Sequence, residues 1–282
     1  MKWLIVGANG QLGSDLMHLL GGKAEGVDLP EIDITSPDSV QGVISTAAPD
    51  VVVNAAAYTA VDAAETDEPT AYAVNATGPQ NLAEACAARP GTRLVHISTD
   101  YVFSGADEGP YDEDAPTGPK SAYGRTKLAG ELAVAAALAD RSYVVRTAWL
   151  YGEHGANFVK TMIRLESQQE TVSVVDDQRG QPTWSHDLGA QILALVDSGA
   201  NPGTYHGTNS GAVTWFGFTR EIFRLLGADP ERVLPTTSAA FQRPAPRPAN
   251  SVLGHRRWAE AGIPAMRGWQ EALAEAMPAL RS

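Results

Sequence analysis

Cysteine is almost absent from this chain: Cys86 stands alone among 282 residues. No disulfide framework is available within one chain, which points to a reducing compartment. Cys86 falls in the apolar pattern Leu82, Ala83, Ala85, Cys86 and reads as a buried helix residue. Long apolar runs are missing too. None approaches the roughly 20 residues that span a bilayer, and the first residues enter a strand pattern without a signal peptide. The expectation is a soluble, cytoplasmic protein with no membrane partner. Basic residues are scarce, 21 Lys and Arg against 33 Asp and Glu, for a net charge of −12. That balance argues against nucleic acid and anionic membrane as partners. Any anionic nucleotide must then be held by local donors rather than by the global field. The six histidines show no paired ligand spacing, so no metal site is expected. There is no internal repeat and no separate linker.

What is present is concentrated at the start. Lys2-Trp-Leu-Ile-Val-Gly7 is a short apolar run; Gly7, Gly10 and Gly13 follow at three-residue spacing; then come Leu12, Leu16, Leu19 and Leu20 at helical period. This reads as strand, tight turn and helix. Glycine permits the turn, brings backbone close to a pyrophosphate and lets the helix pack on the strand. The helix N-terminus adds free N–H groups and a partial positive charge. A second strand is predicted to end at Val27-Asp28, about twenty residues beyond the first glycine, where an acid suits the ribose 2′-hydroxyl of a dinucleotide. Asp33 and Ile34 are placed to flank the adenine. No Lys or Arg directly follows Gly7 to take a 2′-phosphate, and cofactor preference stays open between NADPH and NADH.

Strand and helix patterns then alternate, as in a parallel α/β sheet. Asp50 to Asn54 reads as a strand ending in Ala55, Ala56 and Ala57; residues around Ala71 to Ala88 as a helix; Arg93 to Ser98 as a strand; and Tyr143 to Arg146 as another. Ligands of open α/β sheets sit beyond the carboxyl ends of the strands. Gly7, Asp28, Ala55 to Thr59, and Ser98-Thr99 all fall at such ends. After Tyr151 the regularity drops, and glycine, proline and aromatic residues become frequent, as in Gly180 to Trp184 and Arg243 to Pro248. Residues 1–150 read as a dinucleotide-binding domain. Residues 151–282 read mainly as a substrate-binding lobe, with a segment around 184–198 returning to the first domain.

Tyr123 and Lys127 lie four residues apart on a predicted helix, so the phenol and the ammonium share a face. A cation beside a phenol is expected to favour the phenolate and ease proton exchange near neutral pH. A hydroxyl from Ser98 or Thr99 is available to bond the same substrate oxygen. This is equipment for interconverting a ketone and an alcohol. Alone it is a weak signal, since a Tyr-x-x-x-Lys pair arises by chance in roughly one chain in seven of this composition. The glycine turn makes it informative.

Several stretches together resemble one family: Gly7 to Gly13, Val53 to Glu65, Ile97 to Gly105, Tyr123 to Glu131, Arg146 to Tyr151, Asn157 to Met162, Gly180 to Thr183 and Arg247 to Ser251. The chain is similar in these to the extended short-chain dehydrogenases/reductases, and among them to the dTDP-4-dehydrorhamnose reductases. The matches cover nearly the whole chain in the family's order. The resemblance implies a Rossmann-type doubly wound parallel sheet with a smaller C-terminal substrate-binding lobe. It also implies reduction of the C4 ketone of dTDP-4-dehydro-β-L-rhamnose to dTDP-β-L-rhamnose by NADPH or NADH, the last step of dTDP-L-rhamnose biosynthesis. Thr99, Tyr123 and Lys127 take the catalytic positions, and Lys127 with Tyr123 also holds the cofactor. Gly7, Asn9, Gly10, Gln11, Leu12, Gly13, Asp28, Asp33, Ile34, Ala55, Ala56, Ala57 and Thr59 match the remaining cofactor positions. Val61, Tyr101, Phe103 and Trp149 match positions facing the sugar or the nicotinamide, each with a core residue as the plainer reading. Asn157 matches a nucleotide contact, with a helix N-cap as the alternative. Arg243 and Arg247 offer forked donors for the diphosphate, or are surface residues. Some relatives resemble dimers bridged through carboxylates and magnesium. Here the corresponding residues, Asp15 and Trp184 to Asp187, depart from the acidic pattern, which argues against such a link and leaves monomer or homodimer. Two other functions keep most of these motifs: a 4-ketoreductase for another dTDP-6-deoxysugar, and a non-catalytic regulatory subunit of the same fold.

Overall fold

The computed structural model describes residues 1–281. Its first half alternates β1 (Trp3–Val6), α1 (Gln11–Leu20), β2 (Ala24–Val27), α2 (Pro37–Ala47) and β3 (Val51–Asn54). Two short helices follow, α3 (Val61–Ala64) and α4 (Glu68–Tyr72), then a π-helical stretch Ala73–Thr77 that runs into α5 (Gly78–Ala87). Next come β4 (Arg93–Thr99), α6 (Ala122–Leu138) and β5 (Ser142–Thr147). The second half is made of shorter pieces: β6 (Leu150–Tyr151), α7 (Phe158–Gln168), β7 (Val172–Val175), β8 (Arg179–Gly180) and β9 (Thr183–Trp184). It continues through α8 (Ser185–Ser198), β10 (Gly203–His206), β11 (Val213–Thr214), α9 (Trp215–Leu226), β12 (Val233–Thr236), α10 (Arg256–Glu260) and α11 (Trp269–Leu280).

Six strands form one parallel sheet in the order β10-β5-β4-β3-β1-β2. Both faces are covered, so the strands are apolar on both sides. Trp3 and Ile5 of β1 point into the cluster with Leu16 of α1 and Leu188 and Ile192 of α8. Leu4 and Val6 point the other way, to Val40 and Ile44 of α2, Leu82 and Cys86 of α5, and Val134 of α6. Cys86 is indeed a buried helix residue. Strand order reverses at β1, which lies between β2 and β3. That is where an open α/β sheet leaves a crevice for a ligand.

The later segments divide between two cores. The helix α8 packs on α1, and β10 extends the sheet beside β5, pairing Tyr205 with Val145. The strand has no counterpart in the sequence reading, because Thr204-Tyr205-His206 carries little apolar signal and is bracketed by Gly203 and Gly207. A separate cluster joins Val159, Met162, Phe218, Ile222, Trp269 and Leu273, from α7, α9 and α11. Among the described residues, no helix is long and apolar enough to cross a membrane.

Candidate active site

A cavity of about 680 Å³ opens along the carboxyl ends of the strands, a size typical of small-molecule sites. Its first end is the glycine turn. Gly7 has φ 82°, a conformation that a side chain disfavours. A Cβ on Gly13 would lie 2.1 Å from the Gly7 carbonyl oxygen, so only glycine lets α1 start this close to β1. Gly10 is the N-cap of α1 and offers no side chain, leaving the first-turn N–H groups free to face a ligand. Gln11 and Leu12 line the same end. Asp28 follows β2 with both oxygens engaged: Oδ2 accepts from the Asn9 N–H at 3.2 Å and Oδ1 from the Leu29 N–H at 2.9 Å. Asn9 itself is exposed and outside the lining; it shapes the turn through its backbone. Asp33, Ile34, Ala55, Ala56, Ala57 and Thr59 also line the cavity at this end. These features fit a dinucleotide: backbone at close range, an open helix end, and an acid where a ribose would sit.

The second end holds the candidate catalytic side chains. Ser121 caps α6, its Oγ accepting from the Gly124 N–H at 3.1 Å, and the helix then presents Tyr123 and Lys127 to the cavity. Thr99 ends β4; its hydroxyl donates to Asp100 Oδ1 at 2.9 Å and accepts from the Tyr101 N–H at 3.2 Å. Ser98 also lines the cavity, but its hydroxyl donates to Glu131 Oε1 at 2.5 Å. Of the two candidate hydroxyls, Thr99 is the one hydrogen-bonded with Tyr123. Glu131 in turn grips Arg146 through Nε at 3.0 Å and Nη2 at 2.7 Å, a buried pair that ties the end of β4 to α6 and β5.

The electrostatics correct one expectation. Burial pushes the Tyr123 phenol up to about 12; a hydrogen bond with Thr99 pulls it back in part, and the Asp100 charge raises it further. Lys127 is 2% exposed and donates to the Ile97 carbonyl at 2.6 Å. Burial lowers its ammonium to about 8, against the opposing pull of Glu131. Desolvation sets the direction, and the phenol stands above its ordinary value with the lysine four residues along the helix. Tyr123 stays protonated across the neutral range, the state a proton donor requires.

Two residues that sequence reasoning missed also shape this end. Asp100 lines the cavity at 3% exposure, and burial raises its carboxyl to about 6. The Ser-Thr-Asp run was visible, but only the fold shows that the acid is buried against Thr99. Asn75, on the π-helical stretch, accepts from the Tyr58 N–H at 2.9 Å, and its amide donates to the Tyr58 carbonyl at 3.1 Å and to Thr126 Oγ1 at 3.2 Å. It links the wall after β3 to the helix of Tyr123.

The candidate sugar contacts fare unevenly. Val61, Tyr101 and Trp149 line the cavity. Phe103 does not: at 3% exposure it stacks on Tyr111 at 4.4 Å beneath the Arg146 guanidinium, because the turn after β4 directs it into a small core with Val102 and Leu253. Asn157 is the N-cap of α7, accepting from the Lys160 N–H at 3.0 Å; its amide donates to the Gly152 carbonyl at 2.8 Å and to Gln11 Oε1 at 3.2 Å, which ties it to a residue lining the cavity. Arg247 pairs with Asp62 at 3.0 Å and donates to the Ala245 carbonyl, which pins the proline-rich loop beside Val61 at the cavity rim. Arg243 is exposed and makes no ion pair among the described residues. Asp15 accepts from Ser185, and Asp187 pairs with Arg267 at 2.9 Å. No group of three or more metal-ligating side chains occurs among the described residues.

A family model described as the RmlD substrate binding domain matches residues 1–282. The chain belongs to this family. Within reach of it is a probable dTDP-4,6-dihydroxy-2-methyloxan-3-one 4-ketoreductase of Streptomyces antibioticus, 52% identical over 99% of this chain and 95% of that protein. A dTDP-4-dehydrorhamnose reductase of Streptomyces griseus is 51% identical over 99% of this chain and 94% of its own length. A crystal structure of dTDP-4-dehydrorhamnose reductase from Bacillus anthracis in complex with NADP superposes with a TM-score of 0.94 at 40% identity, covering 99% of each chain. The RmlD family match thus takes in both the sheet and the second core, not the glycine turn alone.

Proposed function

We propose that this protein reduces the C4 ketone of dTDP-4-dehydro-β-L-rhamnose to dTDP-β-L-rhamnose, with NADPH or NADH as reductant, the last step in making that nucleotide sugar. The observation that carries this is the meeting of Thr99, Tyr123 and Lys127 with the glycine turn in one cavity. Gly7, Gly13 and the open start of α1 would hold the cofactor's diphosphate, and Asp28 a ribose. When bound, the reduced nicotinamide supplies a hydride to C4. As the ketone oxygen gains charge, Thr99 turns its hydroxyl from Asp100 to that oxygen, and Tyr123 stabilises it and gives up its proton. Each such donor is worth roughly 10²–10³-fold in rate. Lys127, a buried cation on the same helix, would hold the cofactor ribose and offset the negative charge left on Tyr123.

Residues 1–150 with the returning segment from α8 to β10 would bind the cofactor, and the lobe built on α7, α9 and α11 would choose the sugar. The reading includes a cytoplasmic enzyme, monomer or homodimer, with a dTDP-sugar as its partner; the lone buried cysteine supports the reducing compartment. A second reading has one specific support. The Streptomyces antibioticus relative is named as a 4-ketoreductase for another dTDP-linked sugar and is as similar as the rhamnose enzymes. The complete Thr99, Tyr123 and Lys127 set speaks against a regulatory subunit. The test is an NADPH- and NADH-oxidation assay on dTDP-4-dehydro-L-rhamnose made in situ, with the product identified by NMR. Turnover to dTDP-L-rhamnose upholds the proposal; no turnover there, with turnover on another 4-ketosugar, replaces it with the second reading.

A further inference from the structure

Trp149 is one of two non-glycine residues with positive φ among those described, at 48°. A bulky side chain in that region is a strained outlier, kept only where its surroundings impose it. Three contacts impose it here. The Trp149 carbonyl accepts from the Thr183 N–H at 3.2 Å. Its indole stacks on Trp215, with ring centroids 3.5 Å apart and planes 9° from parallel. It also lies against Gly180, where a Cβ would meet the indole Cε2 at 2.5 Å. The last two belong to one unit: β8 ends at Gly180 and pairs through it with Val213 of β11, which runs directly into Trp215 at the start of α9. Phe158 braces Trp215 from α7 at 4.3 Å. A piece of the C-terminal lobe thus grips a residue that lines the cavity at the end of β5.

The sheet order says which part of a ligand this grip serves. The strand β5 is separated from β1 and its glycine turn by β4 and β3, and Thr99 ends β4 between them. Trp149 is therefore beyond the reactive side chains, on the side away from the cofactor's diphosphate. An aromatic face there suits the C–H face of a sugar.

Resting on the reductase reading of the cavity, we propose that Trp215 and Gly180 are positioning residues that hold Trp149 as the wall selecting the sugar half of a dTDP-sugar. Neither is part of the cavity lining, and both act through Trp149.

The experiment compares the intact protein with Trp215→Leu, Trp215→Phe and Gly180→Ala by calorimetric titration with dTDP-β-L-rhamnose, dTDP and NADPH. Near-ultraviolet circular dichroism monitors coupling of the stacked indoles. Released strain and a lost stack should weaken dTDP-rhamnose by roughly tenfold in Trp215→Leu and Gly180→Ala, with dTDP and NADPH changed less than about twofold. In turnover the loss should fall on KM for the sugar rather than on kcat, and Trp215→Phe should recover most of the affinity. Unchanged dTDP-rhamnose binding, or an equal loss for all three ligands, overturns the proposal. So does a wild-type protein that binds dTDP-rhamnose no better than dTDP. If Trp215→Leu does not fold, Gly180→Ala and Trp215→Phe decide, one crowding the indole and the other keeping a ring beneath it. Failure of the wild type to reduce the ketosugar strikes the proposed function instead and leaves the binding comparison in force.

Discussion

Lys127 gives the most searching pH prediction. Burial brings its ammonium from 10.5 to about 8, a cost of about 3 kcal/mol to the charged form at 1.36 kcal/mol per unit. The residue is 2% exposed, so solvent screening does not blunt this. Below about 8 the lysine is charged and can play its part; above that it is neutral, and activity should fall by about tenfold per pH unit. Tyr123 adds no second limb in this range, since its phenol is held up at about 12. The assay is the pH dependence of kcat/KM for NADPH, which reports groups of the free enzyme. Glu131 is the group that pulls the lysine back upward, so Glu131→Gln should shift the alkaline limb to lower pH. A profile flat to pH 10, or a limb that Glu131→Gln moves upward, would refute the reasoning.

Other outcomes follow from the same contacts. Gly13→Ala places its Cβ 2.1 Å from the Gly7 carbonyl oxygen and 2.7 Å from Ala8 Cα, both backbone; it should cost about 1–3 kcal/mol in stability and about tenfold or more in NADPH affinity by fluorescence titration. Glu131→Leu strands the buried Arg146 charge and should cost about 3–5 kcal/mol in urea unfolding, while adding Arg146→Met should recover most of it. Burial holds His206 neutral, its imidazolium pushed down to about 3 from 6.5. The unfolded chain takes up that proton first, so stability should fall as pH drops below 6.5, by about 2 kcal/mol from this residue at pH 5. His206→Gln should flatten that slope in denaturation series run at several pH values.

The parts of the fold legible in the sequence are those set by local pattern. Apolar runs such as Val51–Val53 had to be strands buried on both faces, and the spaced glycines had to be a turn. Tyr123 and Lys127 were legible because a four-residue spacing on a helix fixes their common face. What was hidden depended on distant packing. The strand β10 exists because β5 offers it an edge, not because Thr204 to His206 favour extension. The π-helical turn that aims Asn75 inward leaves no mark on apolar periodicity. Phe103 lies in a small core rather than in the cavity wall because sequence places a residue near the sheet edge but cannot say whether it points to the cavity or to the core. The effect of Lys127 on Tyr123 failed for a different reason. Proximity alone suggested a lowered phenol, while burial, invisible in the chain, decided its sign.

Tyr123 is proposed as the proton donor in the cavity where the cofactor would bind. The most direct measurement pairs NADPH binding with turnover of dTDP-4-dehydro-L-rhamnose in Tyr123→Phe. NADPH affinity should stay within about threefold of wild type, while kcat falls by roughly 10²–10³-fold. A Tyr123→Phe enzyme that reduces the ketosugar at the wild-type rate would contradict it.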